Sequence, residues 1–425
     1  MPNKHELWEL QQMQSMSLQS KIAMTRTRLK GWVDHFGLDK VYVSFSGGKD
    51  STVLLDIARK MYPSIKAMFV DVPTQYPELK TFTQTYDNVD IIKPKISFME
   101  VCEKYGFPLI SKEVSESVAG ARKYLTNILA ENTILDRQTD RQTDRQTDRQ
   151  PKYRYFYDKV SGQGKYAKSD KGGGTIENIE KSEELASLLN ERMKNKVGGA
   201  NQRLAIMLGW LTKEKDKNVL IKANIPSEDR SNYSQVRYKF FLEAPFEISN
   251  QCCNIMKKNP AHKYHKDTSR CPITAQMANE SRLRKQKWLA NGCNGFDLKI
   301  PTSNPMSFWT EQDVLEYIYI NNLPICSVYG KVVKADDGQY SLFEEKPTYR
   351  TTGCNRTGCM LCGFGCHLEK DEDNRFLQLQ KTHPKMYDLL DVVKNNGYTF
   401  RQAVEWINKN GNMNIKIGDK NTNEK

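Results

Sequence analysis

Ser46-Gly47-Gly48-Lys49-Asp50-Ser51 brings hydroxyl donors, two adjacent glycines and an ammonium together within six residues. That combination suits an anion. Glycines let the backbone approach a phosphate without interference from Cβ, amides at the start of a following helix point at it, and Lys49 adds a cation. The apolar run Val41-Tyr42-Val43 before the loop predicts a strand, and Ser-Thr-Val-Leu-Leu-Asp-Ile-Ala-Arg-Lys after it predicts a helix. A Walker A loop is excluded, because it needs a glycine five positions before its Gly-Lys-Ser/Thr, and here Asp50 separates Lys49 from Ser51.

The second chemical signal lies near the carboxy terminus. Cys354, Cys359, Cys362 and Cys366 are separated by four, two and three residues and interleaved with glycines. Zinc usually takes two Cys-x-x-Cys knuckles across a longer loop, so these intervals favour a [4Fe–4S] cluster over zinc. Cys271 could replace one member of the set, whereas Cys102, Cys293 and Cys326 read as structural thiols.

These residues need a scaffold, and 425 residues allow a large α/β domain with insertions or two to three domains. Helical spacing covers 5–36, with Gly37 as its stop. Strands are then expected at 41–45, 65–70 and 89–92, alternating with helices at 51–61, 78–86 and 98–105. Alternation of this kind predicts a doubly wound parallel sheet of α/β class, Rossmann-like, with ligands beyond the carboxyl ends of its strands. Both the 46–51 loop and Asp71 fall there.

From 136 to 150 the tetrapeptide Asp-Arg-Gln-Thr repeats, and a Lys/Tyr/Gly-rich stretch follows to about 180. Such composition predicts a disordered insertion, with 152–166 read as a mobile surface loop. Beyond it we expect a basic helix at 184–196, a strand at 271–275, a helix at 310–321, a loop or hairpin at 330–347, and helices at 384–394 and 399–408. The organisation expected is a helical lead-in (1–37), a nucleotide-binding half (38–130), the insertion (131–181), a second half (182–329) and a cysteine-rich tail (330–425).

Lys and Arg exceed Asp and Glu by 13, a balance that suits polyanionic partners, from nucleotides to nucleic acid. No window reaches the ~18–20 apolar residues of a membrane span, and the first 21 residues have no apolar signal centre. A cytoplasmic protein without a membrane partner is expected, in which clustered cysteines serve as metal or redox ligands.

The 46–51 motif resembles the PP-loop of ATP pyrophosphatases and of phosphoadenosine phosphosulfate (PAPS) reductases. The resemblance continues through Cys252-Cys253 with Lys257, Lys258 and Pro260, through Pro272-Ile273-Thr274 and Glu280-Ser281-Arg282-Leu283-Arg284, and through Trp309-Thr-Glu-Gln-Asp313 and Val328-Tyr329-Gly330. It covers most of 38–125 and 245–370. It implies an enzyme of sulfur metabolism that binds ATP, PAPS or adenosine phosphosulfate through Ser46, Gly47, Gly48, Lys49, Asp50, Ser51, Asp71, Lys257, Arg282 and Arg284. Lys49, Asp50 and Arg282 take the catalytic roles. Asp71 is expected to bind Mg²⁺ or adenosine.

Iron–sulfur sulfonucleotide reductases pair a Cys-Cys with a distant Cys-x-x-Cys. By that resemblance Cys252, Cys253, Cys359 and Cys362 form a ligand set, beside the alternative of Cys354, Cys359, Cys362 and Cys366. A thioredoxin-like reductant or a sulfur donor is the implied partner. In such reductases a cysteine on a carboxy-terminal tail attacks the activated sulfur, yet residues 367–425 contain no cysteine. Two other readings follow: an adenylating ATP pyrophosphatase that transfers sulfur to nucleic acid, as in DNA phosphorothioation or RNA thiolation, and a non-catalytic regulator that binds nucleotide and cluster.

Overall fold

Val41, Tyr42 and Val43 are apolar on both faces, as a strand covered on both sides must be, and all three are buried. In the computed structural model they form the strand Val41–Ser44, which pairs in parallel with Ala67–Val70 on one side and Cys271–Ile273 on the other. The structure describes residues 3–122, 153–158, 163–168, 207, 236–335, 347–369 and 374–418.

The full sheet has six strands, in the order Val89–Ile92, Ala67–Val70, Val41–Ser44, Cys271–Ile273, Thr302–Ser303 and Asn294–Gly295. All its pairings are parallel except the last, which is antiparallel. With helices on both sides, this is the expected doubly wound α/β fold with one antiparallel edge. Its core joins the helix Lys49–Met61, through Val53, Leu54, Leu55, Ile57 and Ala58, to Leu29, Trp32, Phe308 and Trp309.

The expected helix over 5–36 is two helices, Leu7–Ser15 and Leu18–Phe36. The break has a local cause. Ser17 adopts an extended backbone and its hydroxyl accepts the Ser20 amide, which restarts the helix. Gly37 ends the second helix at φ +87°, a conformation costly for other residues.

The described residues divide into two units, Met1–Ser97 with Asn254–Met360, and Phe98–Cys253 with Leu361–Lys425. The first contains the sheet. In the second, Leu109–Ile110 pairs in parallel with Gly363–Phe364. There the buried Asn395 accepts the Glu247 amide at 2.7 Å and donates to the carbonyls of Cys102 and Glu103. The expected helix at 384–394 is the single turn Pro384–Tyr387 followed by a 3₁₀ turn, and the helix Arg375–Thr382 precedes it. Asn374 caps that helix by accepting the amides of Phe376 and Leu377.

Most of the expected disordered insertion, and the expected helix at 184–196, lie outside the described residues. Within the insertion, Tyr153–Asp158 and Gln163–Lys168 form an antiparallel pair where a loop was expected. Alternating tyrosines at 153, 155 and 157 suit a strand. At 330–347 the expected hairpin is seen in the pairing of Val332–Lys334 with Tyr349–Thr351, while 336–346 lie outside the described residues.

Candidate nucleotide site

Ser44 ends the strand, and the chain turns through 45–48 into the helix Lys49–Met61. Gly47 sits at φ +73°, and a Cβ there would lie 3.0 Å from Thr83 Cγ2 and 3.2 Å from the Leu79 carbonyl. Only glycine holds this turn without strain. The Ser46 and Ser51 hydroxyls lie 3.1 Å apart, Ser51 donates to the Gly48 carbonyl at 2.9 Å, and the Gly48 amide donates to Ser46 Oγ at 3.3 Å. The two serines therefore brace the loop from both ends.

Lys49 is 4% exposed. Its Nζ donates to the Asn355 carbonyl at 2.7 Å, pairs with Glu311 Oε1 at 2.8 Å and stands 5.6 Å from the centre of the Tyr329 ring. The Lys49 amide donates to Tyr329 Oη, which lies 2.6 Å from Thr357 Oγ1. Burial pushes the Tyr329 phenol up to about 12, so it stays a neutral hydrogen-bonding group. A cleft of about 140 Å³ opens here, lined by Ser46, Lys49, Asp50, Glu280, Glu311 and Arg356 among others.

Asp50 faces the same cleft. Its Oδ1 is buried without a hydrogen-bond partner. Burial raises its pKa, while the charges of Lys49, Arg356 and Arg284 pull it down and that of Glu311 raises it further. An orphaned carboxylate oxygen beside three cations marks a place where a ligand group or a proton completes the bonding. Arg284 is ion-paired with Glu280, and burial lowers its pKa against the opposing charge of Asp50.

The structure thus brings together Ser46, Gly48, Lys49, Asp50 and Ser51, with Arg284 electrostatically coupled to them. Arg282 opens its helix exposed to solvent, and Lys257 lies in the π-helical turn Asn254–Lys258; neither lines the cleft. Asp71 follows the second strand as expected and pairs with Lys80 Nζ at 2.9 Å. Sequence reasoning did not single out Glu311, Arg356, Thr357 or the Tyr329 hydroxyl as site residues. Glu311 opens a helix whose capping box, Thr310 with Asp313, was visible in the sequence. That box fixes where Glu311 stands.

The cysteines distribute differently. Cys271, Cys354 and Cys359 belong to the first unit, and Cys252, Cys253, Cys362 and Cys366 to the second. Among the described residues no three His, Cys, Asp or Glu side chains gather to hold a metal ion.

A glycine-braced turn between a parallel strand and a helix, with a buried lysine at the helix start, is the local architecture of an α/β anion-binding loop. The chain matches the family model of the phosphoadenosine phosphosulfate reductase domain over residues 40–109 and 210–363, just over half its length, and belongs to that family. Its members generally carry out sulfur and nucleotide chemistry on adenine-nucleotide-type substrates. No curated protein matches the chain. No helix among the described residues is long and apolar enough to cross a membrane.

Proposed function

We propose that the protein binds a sulfonucleotide, PAPS or adenosine phosphosulfate, over residues 46–51 and reduces or transfers its activated sulfur. The observation that supports this most is Lys49, a buried ammonium at a helix start, held between the Asn355 carbonyl and Glu311. An incoming phosphate or sulfate oxygen replaces Glu311 as its partner, and the freed carboxylate turns to Arg356, whose Nη2 is 3.8 Å away. Ser46, Gly47, Gly48 and Ser51 cradle the anion, and Asp50 orders Lys49 and Arg284 around it. Lys257 and Arg282 serve as outer cations, and Asp71 contacts the adenosine side or Mg²⁺.

Asp50, Glu280 and Glu311 all line the cleft, and this favours a second reading. Carboxylates of this kind suit a magnesium-bound triphosphate, as in an adenylating ATP pyrophosphatase that passes sulfur to nucleic acid. The two readings differ in product. Sulfite released from PAPS or adenosine phosphosulfate, and lost in Lys49→Ala, supports the reductase; pyrophosphate released from ATP supports adenylation. Neither product overturns both and leaves a nucleotide-binding regulator.

We also propose a [4Fe–4S] cluster on Cys252, Cys253, Cys359 and Cys362. Its support is the resemblance of the Cys-Cys pair and the distant Cys-x-x-Cys to those of iron–sulfur sulfonucleotide reductases, and no step of the reaction is routed through it. A thioredoxin-like dithiol is the proposed reductant.

A further inference from the structure

Reduction of a sulfonucleotide needs a nucleophilic thiol, and residues 367–425 hold no cysteine. Cys366 is unsuited to the role. It is 1% exposed, its Sγ is held to the Gly363 carbonyl at 2.8 Å, and burial pushes its thiol up to about 12.

Cys354 differs in its surroundings. It is half-buried, and it opens the segment whose next residue, Asn355, takes the Lys49 hydrogen bond and whose Arg356 and Thr357 line the cleft. Its backbone is fixed, because its amide donates to the Val328 carbonyl at 2.9 Å and the Gly353 amide donates to Tyr329. Gly353 has no room for a Cβ, which would fall 2.5 Å from the Val328 carbonyl oxygen. The chain therefore presses Cys354 against the residues carrying Tyr329.

A second thiol lies in the same place. Cys326 is fully buried in a cluster with Leu79 and Tyr329, packed by Tyr76 and Val328. Cys354 Sγ lies 4.0 Å from the Tyr76 hydroxyl, and the Cys326 thiol is close enough to feel the charges of Cys354 and Glu78. A half-buried cysteine in the segment that borders the 46–51 loop, backed by a sealed one across Tyr76, suits an attacking and a resolving cysteine.

Building on the sulfonucleotide reading above, we propose that Cys354 is the nucleophile of this chain and Cys326 its resolving thiol. The Cys354 thiolate attacks the sulfonate sulfur. The sulfur–oxygen bond to the nucleotide phosphate breaks, its electron pair leaves on the phosphate oxygen, and Cys354 carries an S-sulfonate. Cys326, passing its proton to the neighbouring Glu78 carboxylate, then attacks Cys354 Sγ, and sulfite leaves with the sulfur–sulfur electron pair. Two thiols are oxidised to a disulfide as sulfonate sulfur is reduced to sulfite. An external dithiol reduces the bridge and is itself oxidised.

The test uses the full chain with PAPS and with adenosine phosphosulfate, sulfite release being measured beside peptide mapping of the S-sulfonate under limiting thiol. Cys354→Ser and Cys354→Ala are expected to lose sulfite release by roughly 10³-fold or more and to carry no adduct. Both should still bind adenosine 3′,5′-bisphosphate, which reports a folded site. Cys326→Ser is expected to accumulate the S-sulfonate on Cys354, and mild diamide oxidation of the unmodified chain to link Cys326 to Cys354. Unchanged sulfite release in Cys354→Ser, or an adduct on another cysteine, overturns the nucleophile. Failure of the bridge to form overturns the resolving role. No sulfite from the unmodified chain overturns the parent reading itself, and this is distinguishable because it is seen before any variant is made.

Discussion

The loop at 46–51 and the cysteine segment at 354–366 both stand out in the sequence by dense, chemically suggestive spacing, yet they fold by different rules. The loop is a single turn, and its serines, glycines and lysine bond mainly to one another and to a few fixed neighbours. The cysteine segment is held by backbone partners from distant parts of the chain: Cys354 by Val328, Cys359 by a bridge to Gln75, and Gly363–Phe364 by Leu109–Ile110. Close spacing means convergence in space only where the chain turns back on itself, as it does through Gly47 and as four, two and three intervening residues alone do not ensure.

The largest effect expected from breaking the loop is Lys49→Ala. Loss of a buried charge-assisted hydrogen bond and ion pair at the anion position should weaken nucleotide binding by about 1.5–3 kcal/mol, roughly 10- to 100-fold, in a calorimetric titration. Gly47→Ala should follow, since it forces Cβ into a left-handed turn against Thr83 and Leu79; a urea melt should show a loss of about 1–3 kcal/mol. Tyr329→Phe removes the acceptor for the Lys49 amide and the partner of Thr357, with an expected loss of about 1 kcal/mol in the same melt.

Asp50→Asn sharpens the contrast through pH. Burial raises the folded pKa of Asp50 above the ordinary carboxylate value, so the folded chain binds this proton more tightly than the unfolded chain does. Its contribution to stability is therefore fully present below the unfolded pKa and is lost as pH rises through the folded one. The variant should be more stable than the parent at neutral pH, with the gap closing on acidification towards pH ~4. A gap that widens on acidification would mean that Asp50 is held charged. For the cysteine segment, iron and acid-labile sulfide should accompany the anaerobically purified chain and vanish in Cys359→Ser and Cys362→Ser; purification without iron would overturn the proposed cluster.

The sheet was legible because Val41-Tyr42-Val43 and the helix after the loop carry unambiguous local periodicity; Val89–Ile92 and Phe98–Tyr105 fall at their expected bounds. The break at Met16-Ser17 was less so, since the apolar pattern runs through it and only the Ser17 cap interrupts the helix. In the candidate site, the 46–51 loop was readable as one motif. Glu311 and Thr357 were not, because they reach Lys49 and Tyr329 by tertiary folding across more than 260 and 28 positions respectively. Arg284 was named with Arg282, and helix phase decides between them: Arg284 reaches Glu280, while Arg282 faces solvent.

The most direct test of the central claim is calorimetric titration of the full chain with PAPS, adenosine phosphosulfate and ATP, in parallel with Lys49→Ala. Saturable binding of a sulfonucleotide that weakens roughly 10- to 100-fold in the variant is the predicted result. Binding that is equally tight in both chains would contradict the assignment of residues 46–51 as the anion site.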